Sequence, residues 1–287
     1  MVVLPDRSVE LPGRQGRTRE QGHEQECLPT APVGLRLTVL GSSAAWSERP
    51  CRPSSAYLVE HAEGALILDL GQGSLSSVFS HRDPSTLTAV AISHEHSDHH
   101  IDLIPLRHLL RYGYEEPRSV GLHVPEALRR RYDDFNGEAG FLRDLVGPEL
   151  VAGIRDIDPF VLESRAVTHS EMSFAFRVTE RGQPDGPGLV YSGDCGRADD
   201  LLPLIRAGDT LLCEAFWSMR EPIPSANHLT AAQAAGVARE GGAAQLILTH
   251  ILDAHDPQAA LKAAADIFWG PVRLAEPELI VDIGHAP

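Results

Sequence analysis

The stretch AISHEHSDHHIDL, Ala91 to Leu103, places four histidines and three carboxylates behind a short apolar run. Upstream, LTAVAIS (Leu87 to Ser93) reads as a buried strand. Downstream, DHHIDLIPLRHLLRYG carries Ile101, Ile104, Leu106, Leu109 and Leu110 at helical spacing and predicts a helix that stops at Gly113. The polar cluster therefore sits at a strand-to-helix junction. His94 and His96 alternate as i and i+2, so both side chains can point to one side and clamp a single ion. Asp98 and His99 follow where the chain turns towards the helix and face another direction, which suits a second ion. Imidazole and carboxylate without thiolate suit Zn²⁺, Mn²⁺ or Fe²⁺ and disfavour a closed structural zinc site.

Three later apolar runs each end in a further residue of ligand type: AVTH in His169, VYSGD in Asp194 and LILTH in His250. Several strands delivering polar groups from their C-terminal ends to one rim is how a layered α/β fold assembles a site. The rest of the chain has that texture. LRLTVLG (35–41), SAYLVE (55–60), ALILDLG (65–71), VGLHV (120–124), FVLESRAVTH (160–169), MSFAFRVTE (172–180), LVYSGD (189–194), TLLCEAF (210–216), QLILTH (245–250) and ELIVDIG (278–284) read as strands. PEALRRRYDDF, ADDLLPLIRAG, LTAAQAAGVAREGG and PQAALKAAADIFW read as helices. Pro125 falls near the first turn of one, and Gly241 or Gly242 ends another.

The 287 residues carry a formal charge of −15 and 43% apolar residues. A chain this acidic is not built to cover a phosphate backbone non-specifically. Cys27, Cys51, Cys195 and Cys213 lie far apart with no CxxC pair, which fits reduced thiols and a cytoplasmic protein better than a disulfide framework. No apolar run is long enough to span a membrane. Residues 1–34 have scattered charges and no signal-peptide core; they read as a disordered tail or as the product of a misplaced start codon, ahead of one domain over residues 35–287.

HEHSDH, His94 to His99, resembles the H-x-H-x-D-H hallmark of the metallo-β-lactamase superfamily, and His169, Asp194 and His250 match that family's remaining ligands in order and strand context. The resemblance implies a four-layer αβ/βα sandwich with a dinuclear metal centre, zinc foremost and manganese or iron as alternatives. His94, His96 and His169 would hold one ion, Asp98, His99 and His250 the other, with Asp194 bridging them. It further implies a hydroxide shared by the ions as nucleophile, with Asp98 doubling as a general base. HLTAAQAA, His228 to Ala235, is similar to a helix start of the ribonuclease Z-like phosphodiesterase branch, which would set His228 beside the substrate phosphate and let Thr230 cap the helix. Asp69 in LILDLGQG would orient a ligand rather than bind metal.

That branch's tRNA-processing members usually carry a Gly/Pro-rich arm between the residues matching His169 and Asp194. Here two strands and the turn RGQPDGPG fill the interval. The compact form resembles actinobacterial cyclic-nucleotide phosphodiesterases, whose pattern also matches Asp102. The expected activity is hydrolysis of a small phosphodiester such as a cyclic nucleotide. A ribonuclease Z-type endonuclease acting on RNA ranks second, and a lactone, thioester or sulfate-ester hydrolase third. A redox diiron centre would have a carboxylate where His96 stands. The resemblance also suggests a homodimer. His100 and His108 are expected to pack on the helix, Cys195 to be a small buried residue, Glu214 a buried hydrogen-bond partner, and RRRYDD (129–134) a solvated helix face.

Overall fold

A computed structural model of the chain describes residues 34–219 and 227–284. The expected tail lies outside them, apart from Gly34, as does part of the loop after Trp217. Strands β1 (Arg36–Gly41), β2 (Ala56–His61), β3 (Gly64–Leu70), β4 (Ala89–Ala91), β5 (Val120–His123) and β6 (Leu145–Val146) form one sheet with the C-terminal strand β14 (Ile280–Asp282), in the order β14-β1-β2-β3-β4-β5-β6. The second sheet runs β13-β12-β11-β10-β9-β8-β7. Its strands are β7 (Gly153–Ile157), β8 (Phe160–Ala166), β9 (Phe174–Glu180), β10 (Leu189–Tyr191), β11 (Thr210–Glu214), β12 (Gln245–Thr249) and β13 (Val272–Leu274). Each sheet is antiparallel on one side and parallel on the other, with the change at β3 in the first and at β10 in the second.

Strand β3 explains the layering. All seven of its residues are buried, the mark of a strand covered on both faces. Leu66 and Leu68 point into a core shared with Leu162, Phe176, Leu212 and Ile247 of the other sheet. Ala65, Ile67 and Leu70 point the opposite way, into a core with Leu106, Leu110 and Leu128. The helices on that outer side are α1 (Ser74–His81), α2 (Leu103–Tyr112) and α3 (Glu126–Asn136). On the far side of the second sheet, α4 (Ala231–Gly241) and α5 (Pro257–Ala265) cover a third core that includes Val190, Leu211 and Leu248. The result is the four-layer αβ/βα sandwich. No helix among the described residues is long and apolar enough to cross a membrane.

Local signals hold where they are strong. Helix α2 ends at Gly113, and α4 starts on a Thr230–Gln233 capping box and ends on Gly242 in the left-handed conformation. Three readings are corrected. ADDLLPLIRAG forms only a single 3₁₀ turn over Ala198–Leu201, because Pro203 lacks the N–H that a helix would need there. Strand β4 stops at Ala91, so His94 and His96 lie in the loop beyond it, followed by a 3₁₀ turn over Ser97–His99. RRRYDD is not a wholly solvated face: Tyr132 is buried, and the half-buried Arg129 donates to the carbonyls of Leu122, Leu145 and Gly147, closing the end of β5 onto β6.

The interval between His169 and Asp194 is held tight by a buried ion pair. Arg177 on β9 meets Asp209 through two hydrogen bonds of 2.8 and 2.9 Å and also donates to the carbonyls of Pro184 and Gly186 in the turn. Both side chains are buried, at 2% and 0% exposure. Removing one partner would leave an uncompensated charge, so Asp209→Ala is expected to cost about 3–5 kcal/mol of stability, read from urea unfolding. A loss below ~1 kcal/mol would show that the pair does not anchor the turn.

Candidate metal centre

The loop after β4 and the loops after β8, β10 and β12 bring all seven expected ligand residues together. One donor atom from each of His94, His96, His169 and Asp194 lies within 4.8 Å of the others, and Asp98, His99 and His250 form a second such group. In the first group His96 Nδ1 stands 3.1 Å from His94 Nε2 and 3.0 Å from His169 Nε2. In the second, His250 Nε2 is 3.2 Å from both His99 Nε2 and Asp98 Oδ2. Nitrogens bound 2.0–2.1 Å from a tetrahedral ion are themselves roughly 3.3 Å apart, so these separations suit a shared ion.

Asp194 lies between the groups. Its Oδ2 is 3.7 Å from His94 Nε2 and 3.6 Å from His169 Nε2, while Oδ1 is 3.3 Å from His99 Nε2 and 3.5 Å from His250 Nδ1. Asp194 Oδ1 and His250 Nδ1 are buried without a hydrogen-bond partner. A buried polar atom left unpaired is costly, and a cation held beside Asp194 would satisfy its Oδ1. Burial, together with the neighbouring His99, holds His94 well below the ordinary histidine range, in the neutral form a ligand requires. Burial opposes charging of His99 as well, but Asp194 and Asp69 on either side outweigh it and raise its pKa. Two carboxylates flanking one imidazole call for a positive charge, which a cation at Nε2 supplies. The residues thus fit a divalent metal on geometry and donor chemistry alike.

Asp69 underlies the cluster. Fully buried at the end of β3, it accepts hydrogen bonds from the Ser93 backbone N–H (2.6 Å), the Ser93 hydroxyl (2.7 Å), His99 Nδ1 (2.7 Å) and the Tyr191 hydroxyl (2.6 Å). Binding Nδ1 leaves His99 Nε2 for the cluster. Two residues on, Gly71 lets the chain press against the motif loop: a Cβ there would lie 1.9 Å from the Asp98 carbonyl oxygen.

A second assembly borders the first. His228 donates from Nδ1 to Glu214 Oε1 at 2.9 Å, and Glu214, fully buried, also accepts from the backbone N–H groups of Cys195, Phe216 and Leu229. Burial disfavours the imidazolium, yet the hydrogen bond and charge of Glu214 prevail and raise the His228 pKa. The Phe216 ring stacks on His228 with centroids 4.2 Å apart and planes 10° apart. Glu214 is therefore the buried hydrogen-bond partner the sequence suggests, whereas nothing in LLCEAFW signals the stacking role of Phe216. Cys195 is buried, with its thiol pushed up to about 12 by burial, which suits an inert residue.

Two contacts have no sequence signal because they are made by backbone atoms. The Ala45 N–H donates to Asp98 Oδ2 at 2.8 Å. The Asn227 backbone carbonyl accepts from His169 Nδ1 at 2.8 Å, and the Asn227 side-chain Nδ2 donates in return to the His169 carbonyl at 2.7 Å. His100 packs away from the cluster, 2.6 Å from the Tyr132 hydroxyl, and His108 bonds its own helix at the Ile104 carbonyl. Asp102 accepts from Leu75 N–H at the start of α1. Asp69→Asn keeps the shape but replaces an acceptor of four donors with an amide, so metal affinity should fall about 10–100-fold in chelator competition. Unchanged affinity would remove Asp69 from any role in orienting His99.

The chain matches the model of a beta-lactamase superfamily domain over residues 68–251. An uncharacterized protein of Mycobacterium tuberculosis is 32% identical over 265 residues, which cover 86% of this chain and 94% of that protein. Ribonuclease Z of Myxococcus xanthus is 29% identical over 295 residues, covering 84% of this chain and 95% of the relative. Among solved structures, the metallo-beta-lactamase fold protein YhfI of Bacillus subtilis superposes with a TM-score of 0.77 at 24% identity, covering 86% of this chain and 99% of that one. The short form of human tRNase Z gives 0.67 at 22% identity, covering 88% and 99%. The chain belongs to the beta-lactamase superfamily of metal-dependent hydrolases and has the metallo-β-lactamase fold.

Proposed function

We propose that the protein hydrolyses small phosphodiesters, cyclic nucleotides foremost, at a dinuclear centre that zinc suits best. His94, His96 and His169 would hold one cation and Asp98, His99 and His250 the other, with Asp194 lying between the two groups. A pair of divalent cations, when bound, would supply an activated water and neutralise charge on the attacked phosphoryl oxygens. The observation that carries the reading is the His228–Glu214 pair beside the double ligand cluster. With Nδ1 committed to Glu214, Nε2 is the ring nitrogen that meets the substrate. There it donates a proton to the departing alkoxide or a hydrogen bond to the phosphoryl oxygen. Asp98 adds a carboxylate beside the nucleophile that can receive its proton.

The preference for a small substrate rests on the missing arm. Strands β9 and β10, joined by a turn that Arg177 pins, occupy the interval where a tRNA-gripping arm would emerge. The net charge of −15 adds to this, since an extended polyanion would be repelled. The likeness to ribonuclease Z of Myxococcus xanthus favours tRNA 3′-processing as the second reading.

Purified protein should release nitrophenol from bis-(p-nitrophenyl) phosphate. Chelation should abolish the release and added zinc should restore it, with Asp98→Ala inactive. Metal-replete protein that leaves every phosphodiester intact yet cleaves a lactone, thioester or sulfate ester would overturn the reading. His228→Ala should lower kcat about 10²–10⁴-fold while metal content stays constant; a loss of metal instead would make His228 a ligand. In a panel of 2′,3′- and 3′,5′-cyclic nucleotides against precursor tRNA, the cyclic nucleotides should give the higher kcat/KM. The reverse order would establish the RNA reading.

A further inference from the structure

The loop that supplies His94, His96 and Asp98 has a second face. Glu95 and Ser97 alternate with those residues and line a pocket of about 210 Å³ flanked on its other side by α3. Its floor is apolar, from Ile101, Leu128 and the Tyr132 ring, and Phe135 stands at the wall with 76% of its surface exposed. Polar groups are few. Arg131 approaches Glu95 to 3.7 Å, and Ser97 adds a hydroxyl. The loop is not free to collapse into this space, because His100 Nε2 bonds the Glu95 carbonyl at 3.0 Å and the Tyr132 hydroxyl donates to the His100 carbonyl at 2.8 Å. An apolar lining with a small polar set is the chemistry of a small-molecule site.

The chemistry of the lining selects the occupant. Arg131 is neutralised by Glu95, so the pocket does not attract a phosphate. An aliphatic chain would leave the carboxylate, guanidinium and hydroxyl unused. A flat heterocycle with donors and acceptors along one edge uses all of them: its face stacks on Phe135, its edge donates to Glu95 and accepts from Arg131, and Ser97 can do either. We propose that this pocket is the nucleobase seat of the substrate. Glu95 and Ser97 are the chain neighbours of His94, His96 and Asp98, so one loop carries both the pocket lining and residues of the candidate ligand cluster. The proposal takes the position of the phosphate from the phosphodiesterase reading; the affinity for a base does not depend on it.

The test compares wild type, Phe135→Ala, Phe135→Tyr and Arg131→Gln as metal-loaded full-length protein. Substrates are 2′,3′-cyclic AMP, 2′,3′-cyclic GMP and the base-free diester methyl p-nitrophenyl phosphate. The ratio of kcat/KM for cyclic nucleotide to that for the base-free diester should fall at least about tenfold in Phe135→Ala, through KM rather than kcat, and recover in Phe135→Tyr. Arg131→Gln should alter the preference between the two bases. An unchanged ratio in Phe135→Ala overturns the proposal, including the case in which the substitution changes only the oligomeric state, which would make Phe135 part of an interface between copies. If wild type cleaves no nucleotide, adenosine and guanosine are titrated by calorimetry. Saturable binding lost in Phe135→Ala then upholds the base seat while the phosphodiesterase reading fails. No saturable binding overturns the seat as well.

Discussion

The structure turns on one buried carboxylate. Asp69 ends β3 in a left-handed backbone conformation (φ 58°), which an aspartate tolerates better than most residues, and accepts four hydrogen bonds from three other segments. Ser93 fixes the end of β4, His99 fixes the motif loop, and Tyr191 ties in β10 of the second sheet. An unpaired carboxylate at that depth would be far too costly to bury, so the four donors must arrive together. Satisfying Asp69 therefore aligns the two sheets at the rim where the ligand atoms meet.

The layered fold makes that rim available. Parallel strands end on one edge of their sheet, and each sheet switches from antiparallel to parallel pairing next to the strand that carries a site residue: β3 with Asp69 in one, β10 leading to Asp194 in the other. The sheets pack face to face through a shared apolar core, so their C-terminal edges lie side by side. Seven polar donors can then converge on a short perimeter without being buried in the hydrophobic interior. The same packing brings Glu214 from the end of β11 under His228 at the start of α4's approach, which places a proton-holding pair next to the ligand cluster.

The candidate ligand residues were legible because local sequence patterns mark them. An apolar strand followed by H-x-H-x-D-H, and three further apolar runs leading to His169, Asp194 and His250 in the loops just after their strands, are patterns of period and position. Boundaries were less legible: β4 ends two residues before Ser93, where the Ser93 N–H leaves the sheet to donate to Asp69 while Ile92 N–H still reaches the His123 carbonyl. Helix α1 carries only Leu75 and Val78 as buried apolar residues, too few for a periodic signal. Strands β6 and β7, at the sheet edges, are short or largely exposed and lack the alternation that marks a half-buried strand. The segment 198–208 had helical periodicity, and Pro203 overrode it.

By itself, the sequence determined which chemistry is present and in what order: imidazoles and carboxylates at strand ends, with no thiolate among them. It also determined the layered class, since strand and helix periods are local properties of the chain. Only the tertiary structure decided which atoms face one another. That Asp194 splits its two oxygens between two groups, that Ala45 N–H reaches Asp98, that Phe216 stacks on His228 and that Glu95 and Ser97 line a second pocket are consequences of sheet order and packing. Those contacts join residues far apart in the chain, or lie on the reverse side of a loop, where no spacing rule connects sequence position to distance.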